Sequence, residues 1–243
     1  MSLRKVWFGA LACIALAACQ TPKKPTTPPP TPEAYYRFEP AWGISTVHAG
    51  EGRYADLFGG GSRAIWLDSN AVELKRTASK APANPEPGID ADARAIADAY
   101  IVIECHLESQ FSDMSIAYDA VRLRGITPYL ELPDGSHIAP IQSRSFGPVE
   151  EEPAGALKLF RRTTIVIFPK SDLFKEMPAV SAAEPAVRLV LEGIGSKYYF
   201  EWPGLTPTVP TWRAPTPEEA VFYGRLGYYE LFSEIRRIAH IFD

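Results

Sequence analysis

From residue 100 the chain reads Tyr-Ile-Val-Ile-Glu-Cys-His-Leu. Ile101, Ile103, Cys105 and Leu107 fall on one side of an extended chain, and Val102, Glu104 and His106 on the other. A period of two builds a half-buried strand and does not suit a helix, whose period is 3.6. The same signal recurs downstream. Thr163 to Phe168 (TTIVIF) is continuous and β-branched, which predicts a central strand. Ala186 to Glu192 turns Val187, Leu189 and Leu191 inward, and Lys197 to Trp202 aligns Tyr198, Phe200 and Trp202. Gly193-Ile194-Gly195-Ser196 joins the last two as a turn. Met114 to Leu123 and Pro128 to Leu132 read as further strands. Leu132-Pro133-Asp134-Gly135 is a turn that folds the second of these onto His137 to Ile141. About six or seven strands then lie between residues 100 and 203.

No segment between these strands is long enough to be a crossover helix, so parallel pairing is excluded. The reading is a mainly β chain, an antiparallel sandwich that resembles immunoglobulin-like domains in architecture and not in family. The Cys…Trp…Cys signature of true immunoglobulin domains is absent. A small β-barrel is the alternative.

The flanks differ. Residues 35–80 carry aromatic residues and Gly-rich turns, Gly59-Gly60-Gly61 among them. Ile65-Trp66-Leu67 and Ala71-Val72-Glu73-Leu74 read as short strands or irregular segments. Ala81 to Gly88 is a proline-rich loop, and Asp90 to Tyr100 forms a helical turn or two capped by Asp90. After a second proline-rich connector, Thr216-Pro217-Glu218-Glu219 opens a C-terminal helix over 216–243 with a capping box. Tyr228, Leu231, Phe232, Ile235, Ile238, Ala239 and Phe242 form its apolar stripe, which packs on the β domain of residues 35–215. Gly224 and Gly227 weaken or kink its first half.

The N-terminus is organised differently again. Arg4 and Lys5 precede 13 uncharged residues, Val6 to Ala18, too few for a permanent span of about 20. Leu16-Ala17-Ala18-Cys19 resembles the lipobox of bacterial lipoproteins. The resemblance covers about the first 20 residues. It implies that residues 1–18 are a signal peptide cut before Cys19, whose sulfur takes a diacylglyceryl group and whose amine is acylated. Cys19 would then anchor the chain, because two or three acyl chains hold where one does not. Gln20, where an inner-membrane lipoprotein tends to have Asp, implies the outer membrane on its periplasmic side, with surface exposure as the alternative orientation. Thr21 to Pro32 holds six Pro, four Thr and two Lys, which excludes helix and sheet. As an extended spacer its twelve residues reach roughly 37 Å, so residues 19–34 read as a lipidated tether. A proline-rich ligand for an aromatic groove is the other reading.

Loss of residues 1–18 would move the net charge from −4 to −6, which gives nucleic acid no basic face to bind. It would leave Cys105 as the one cysteine besides the modified Cys19, with no internal disulfide and no paired-cysteine metal motif.

Candidate chemistry is sparse. Gly59-Gly60-Gly61-Ser62 lacks the spacing of a phosphate loop and reads as a flexible turn. Cys105 and His106 are adjacent, so their side chains leave a strand on opposite faces. Cys105 belongs to the core and His106 to solvent or the strand edge. Glu104, His106 and Glu108 share one face at ligand-like spacing, with a solvated face as the plainer reading. His48, His106, His137 and His240 show no metal spacing. Glu150-Glu151-Glu152 reads as a solvated loop, and no Gly-x-Ser-x-Gly elbow is present. Tyr199, Trp42, Trp66 and Trp212 are the aromatic residues that could stack on a sugar ring if exposed, with core and strand-pair packing as the plainer reading.

The expectation is therefore a membrane-anchored envelope lipoprotein, non-enzymatic, with no cofactor beyond the lipid on Cys19. Its β domain would contact envelope proteins or support an assembly. A glycan or small-ligand module is the alternative, and a hydrolase using two carboxylates the third reading.

Overall fold

A computed structural model describes residues 44–172, 177–178, 186–203 and 216–239. The expected export signal, Cys19, the expected tether, Trp42, Trp212 and His240 lie outside the described residues. The elements run β1 (Ile44–Gly52), β2 (Arg63–Trp66), α1 (Ser69–Ala78), α2 (Ile89–Ala99), β3 (Tyr100–Ser109), α3 (Met114–Ala120), β4 (Ile126–Glu131) and β5 (His137–Ile138). They continue with β6 (Gln142–Ala154), β7 (Leu157–Pro169), β8 (Ser171–Asp172), β9 (Met177–Pro178), β10 (Ala186–Gly193), β11 (Ser196–Pro203), α4 (Pro217–Arg225) and α5 (Tyr228–Ala239).

The chain is mainly antiparallel β, as its alternation requires. Nine strands join one sheet in the order β5-β4-β10-β11-β1-β2-β3-β7-β6, and β8 pairs only with β9. The expected immunoglobulin-like sandwich has two sheets; here the strands follow one another without a break and curl into a half-barrel. The edge strands β5 and β6 do not pair with each other, so the alternative of a closed barrel is not met either.

The curl is made at β1. Ile44 to Thr46 pair with β2, whereas Val47 to Gly52 pair with β11, with a register shift between His48 and Glu51. Where β1 leaves β11, the buried Ser45 hydroxyl donates to Glu201 O (2.9 Å) and accepts from Glu201 N (3.0 Å), replacing ladder bonds. One strand thus serves two walls: β2-β3-β7-β6 on one side and β11-β10-β4-β5 on the other.

Inward residues of both walls fill the space between them. Ile101, Ile103, Cys105 and Leu107 of β3 meet Val187, Leu189 and Leu191 of β10 and Tyr198, Phe200 and Trp202 of β11 in one core. Trp66 and Trp202 cross it edge to face, 5.5 Å between rings, so Trp66 is a core residue and not an exposed platform for sugar. Ala117, Ala120 and Val121, in and just beyond α3, belong to the same core.

The outer face of the first wall carries a second core, made by α1, α2, α4 and α5 over Ile65, Val102, Ile165 and Ile167. Asp68 caps α1 by accepting from Ala71 N (2.7 Å). Ala71 to Leu74 is therefore helix and not strand; four residues in a row do not reveal their period. Gly88, in the left-handed region, precedes α2 as its cap, while Asp90 accepts from the Tyr228 hydroxyl (2.9 Å). Met114 to Ala120 is also helical, with Asp113 accepting from Ser115 N and Ile116 N.

Thr216 and Glu219 close the capping box of α4 reciprocally. The C-terminal helix divides at Leu226 and Gly227, and its stripe (Tyr228, Leu231, Phe232, Ile235, Ile238) is buried. Thr163 to Phe168 lies in β7, paired on both sides by β3 and β6 but one strand from the edge. Glu150 to Glu152, read as a loop, belong to edge strand β6. The Gly193 turn forms, with Ile194 and Gly195 both at positive φ, the pattern of a two-residue hairpin turn.

Candidate functional site

Glu104, His106 and Glu108 leave β3 on the outer side of the first wall, the face their spacing assigned. That face is not solvated. Glu104 is fully buried and His106 2% exposed, beneath the helices. Lys75 of α1 is buried with them. Its Nζ donates to Glu104 Oε1 (3.0 Å) and to Tyr223 O (2.9 Å), and lies 2.8 Å from Glu104 Oε2. His106 Nε2 lies 2.8 Å from Glu104 Oε1, and Nδ1 shares a hydrogen bond with Thr163 Oγ1 (2.9 Å). A chain Lys75–Glu104–His106–Thr163 thus runs from α1 through β3 to β7.

Its electrostatics follow from burial. Desolvation alone would push the Glu104 carboxyl up; the Lys75 charge and the contact with His106 outweigh it and hold the carboxyl below its usual range. Cys105, on the opposite face, has its thiol pushed far up by burial and by the Glu104 charge. It is a core residue, inert as a nucleophile.

Glu108 faces a different environment. The Gly-rich turn wraps it: Gly59 N donates to Glu108 O (2.8 Å), and Ser62 Oγ accepts from Glu108 N (2.9 Å). A Cβ at Gly61 would collide with the Glu108 carboxylate, which explains the glycine there. The turn read as flexible is pinned to β3. Glu108 Oε2 accepts from Arg161 Nε (2.8 Å), and Arg161 Nη1 is paired with Glu152.

Beside this pair opens a polar cleft of about 130 Å³. His106 and Thr163 line it together with Arg161, Glu150 and Arg225 of α4. β6 bulges at this point: Phe146 pairs with Thr163 and Glu150 with Arg161, so Gly147 to Val149 oppose Arg162 alone. Bulges of this kind re-aim side chains next to sites. Phe222 of α4 lies 6.2 Å from the His106 ring, and both Arg63 and Arg225 stack on it. Neither arginine has a carboxylate partner among the described residues.

Chemically, the arrangement offers a hydroxyl whose hydrogen is directed by a buried imidazole, with guanidinium groups beside it. Among the described residues no three His, Cys, Asp or Glu side chains could hold a metal ion. A wider depression of about 410 Å³ beside the β4–β5 turn contains Arg188 and Glu131, which face each other at 3.7 Å.

Lys75, Arg161, Thr163 and Arg225 are the site residues that sequence reasoning missed. The period of β3 places His106 on its face. The same period in β7 puts Arg161 and Thr163 together, and that signal was available. Compared with known protein families, curated proteins and solved structures, the chain matches none at a significant level.

Proposed function

We propose that this chain is a membrane-anchored lipoprotein of the bacterial cell envelope, held through an acylated Cys19. Its folded part is a non-enzymatic module for contact with other envelope proteins. Leu16-Ala17-Ala18-Cys19 and the proline-rich stretch behind it support the anchor and the tether, and Gln20 supports the outer membrane. The curled sheet, whose walls face each other across one core as sandwich sheets do, is the scaffold.

The observation that carries the module reading is an asymmetry. The outer face of the first wall is covered by four helices, whereas no described element covers the outer face of the second. There Arg188 stacks on Tyr199 and Lys197 on Tyr129, with Glu131, Glu192 and Glu201 between them. Tyrosine and arginine are enriched at exchangeable protein interfaces, and the charges around them here suit the polar rim of such a contact. One observation favours a glycan instead: the His48 ring stacks on Tyr199 at 5.0 Å, a flat platform.

Two experiments test the reading. Metabolic labelling with palmitate should mark the wild-type chain, and Cys19→Ala should leave an unlabelled, uncut precursor. Continued labelling of that variant overturns the anchor. A photo-crosslinking residue at position 188 should give discrete protein adducts in intact cells, while one at position 237 on α5 should not. Equal yields at the two positions overturn the second wall as the contact face.

A further inference from the structure

Beyond the tether and the open wall, we infer that the cleft beside His106 binds a tetrahedral oxyanion of the phosphate class. Three donors converge there. Arg225 stands at the rim with no carboxylate partner among the described residues. Arg161 uses Nε for Glu108 and Nη1 for Glu152, which leaves Nη2 uncommitted among the described residues. Thr163 supplies a hydroxyl beside them. Guanidinium groups favour oxyanions by charge-assisted, paired hydrogen bonds. Donors arriving from β7 and from α4 suit a ligand that accepts on several sides, more than a planar carboxylate that presents one edge. A cleft of about 130 Å³ has room for one such group.

His106 fixes one wall of the site. Its Nδ1 shares a hydrogen bond with Thr163 Oγ1 (2.9 Å), which holds the hydroxyl in place beside the arginines. Arg161 from β7, Arg63 from β2 and Arg225 from α4 supply positive charge; Glu150 from β6 opposes the anion.

The test is calorimetric titration of the purified full chain with sulfate. Binding should saturate. Arg225→Gln should weaken binding by about ten- to a hundredfold, the worth of one charge-assisted hydrogen bond. Thr163→Val, which keeps the strand's β-branched shape, should weaken it as well. Glu150→Gln should tighten it, and Arg237→Gln on α5 should change nothing. Inorganic phosphate and methyl phosphate then narrow the source: binding of methyl phosphate shows that an esterified group is accepted, and binding of the inorganic ion alone limits the site to a free anion, both within the proposal. No saturable binding, or unchanged binding in Arg225→Gln, overturns the site.

Discussion

The two walls of the half-barrel are built from the same kind of strand and handle charge in opposite ways. On the outer face of the first, Glu104, His106 and Lys75 are shut under helices, where each polar group depends on one or two partners. On the outer face of the second, Arg188 meets Glu201 (2.6 Å) and Glu131 (3.7 Å) with its side chain 45% exposed. Water reaches the charged groups there. The contrast separates charge that specifies an arrangement from charge that decorates a surface. An ion pair out of reach of water is costly to break and adds little when made, because desolvation cancels most of the attraction. A surface pair is cheap in both directions.

The largest effect should come from removing one buried partner. Glu104→Ala leaves the Lys75 ammonium with only Tyr223 O, and should destabilise the fold by about 3–5 kcal/mol. Urea unfolding measures this. Lys75→Met combined with Glu104→Leu should recover most of the loss, since a shape-filling apolar pair has no charge to satisfy. A double variant as unstable as Glu104→Ala would mean that packing and not charge sets the cost. The pH dependence follows in sign. The Glu104 carboxyl is held below its unfolded value, so its contribution is present above the unfolded pKa, about 4.3, and is lost as pH falls below that through the folded value. The gap in stability between wild type and Glu104→Gln should therefore shrink as pH falls into the acid range.

These residues also show where sequence stops being legible. The period of two around residue 100 put Cys105 inward and Glu104 and His106 outward, correctly. Nothing near them says what lies outside. The cover comes from residues 69–99 and 217–239, and the partner of Glu104 is a lysine 29 positions away. Lys75 follows Ala71, Val72 and Leu74, which read equally well as a short strand. Only the Asp68 cap distinguishes the helix locally. β6 escaped notice because Gly147, Pro148, Pro153 and three glutamates interrupt its alternation. An edge strand tolerates all of these, since one side of its ladder needs no donor. The half-barrel in place of a sandwich turns on Ser45, whose hydroxyl mimics a backbone partner, and a single serine carries no such signal.

The helical cover itself is the next target. Leu231 is fully buried between α5 and the other helices. Leu231→Ala should cost about 2–5 kcal/mol, as for other large-to-small changes in a core. The difference between the walls predicts where the loss is felt. Amide exchange in β3 and β7 should accelerate more than in β4 and β10, which lie in the wall those helices do not cover. Uniform acceleration would show that the walls unfold as one unit and have no separate stability.

The smallest effect belongs to the open wall. Arg188→Ala removes two ion pairs and the stacking of the guanidinium on Tyr199 (4.9 Å). Glu201 and Glu131, left behind, are rehydrated at once, so no charge is stranded. The expected cost is between about 0 and 1 kcal/mol, and it should shrink further in high salt, which screens exposed pairs within a Debye length of about 8 Å. The same substitution should nonetheless abolish crosslinked adducts at neighbouring positions if this face meets a partner, because arginine and tyrosine anchors dominate such interfaces. A surface kept for recognition behaves in this way: the fold stays as stable as before while the partner no longer binds. A loss of 3 kcal/mol or more would instead place Arg188 in the same class as Lys75, and the distinction between the two walls would fail.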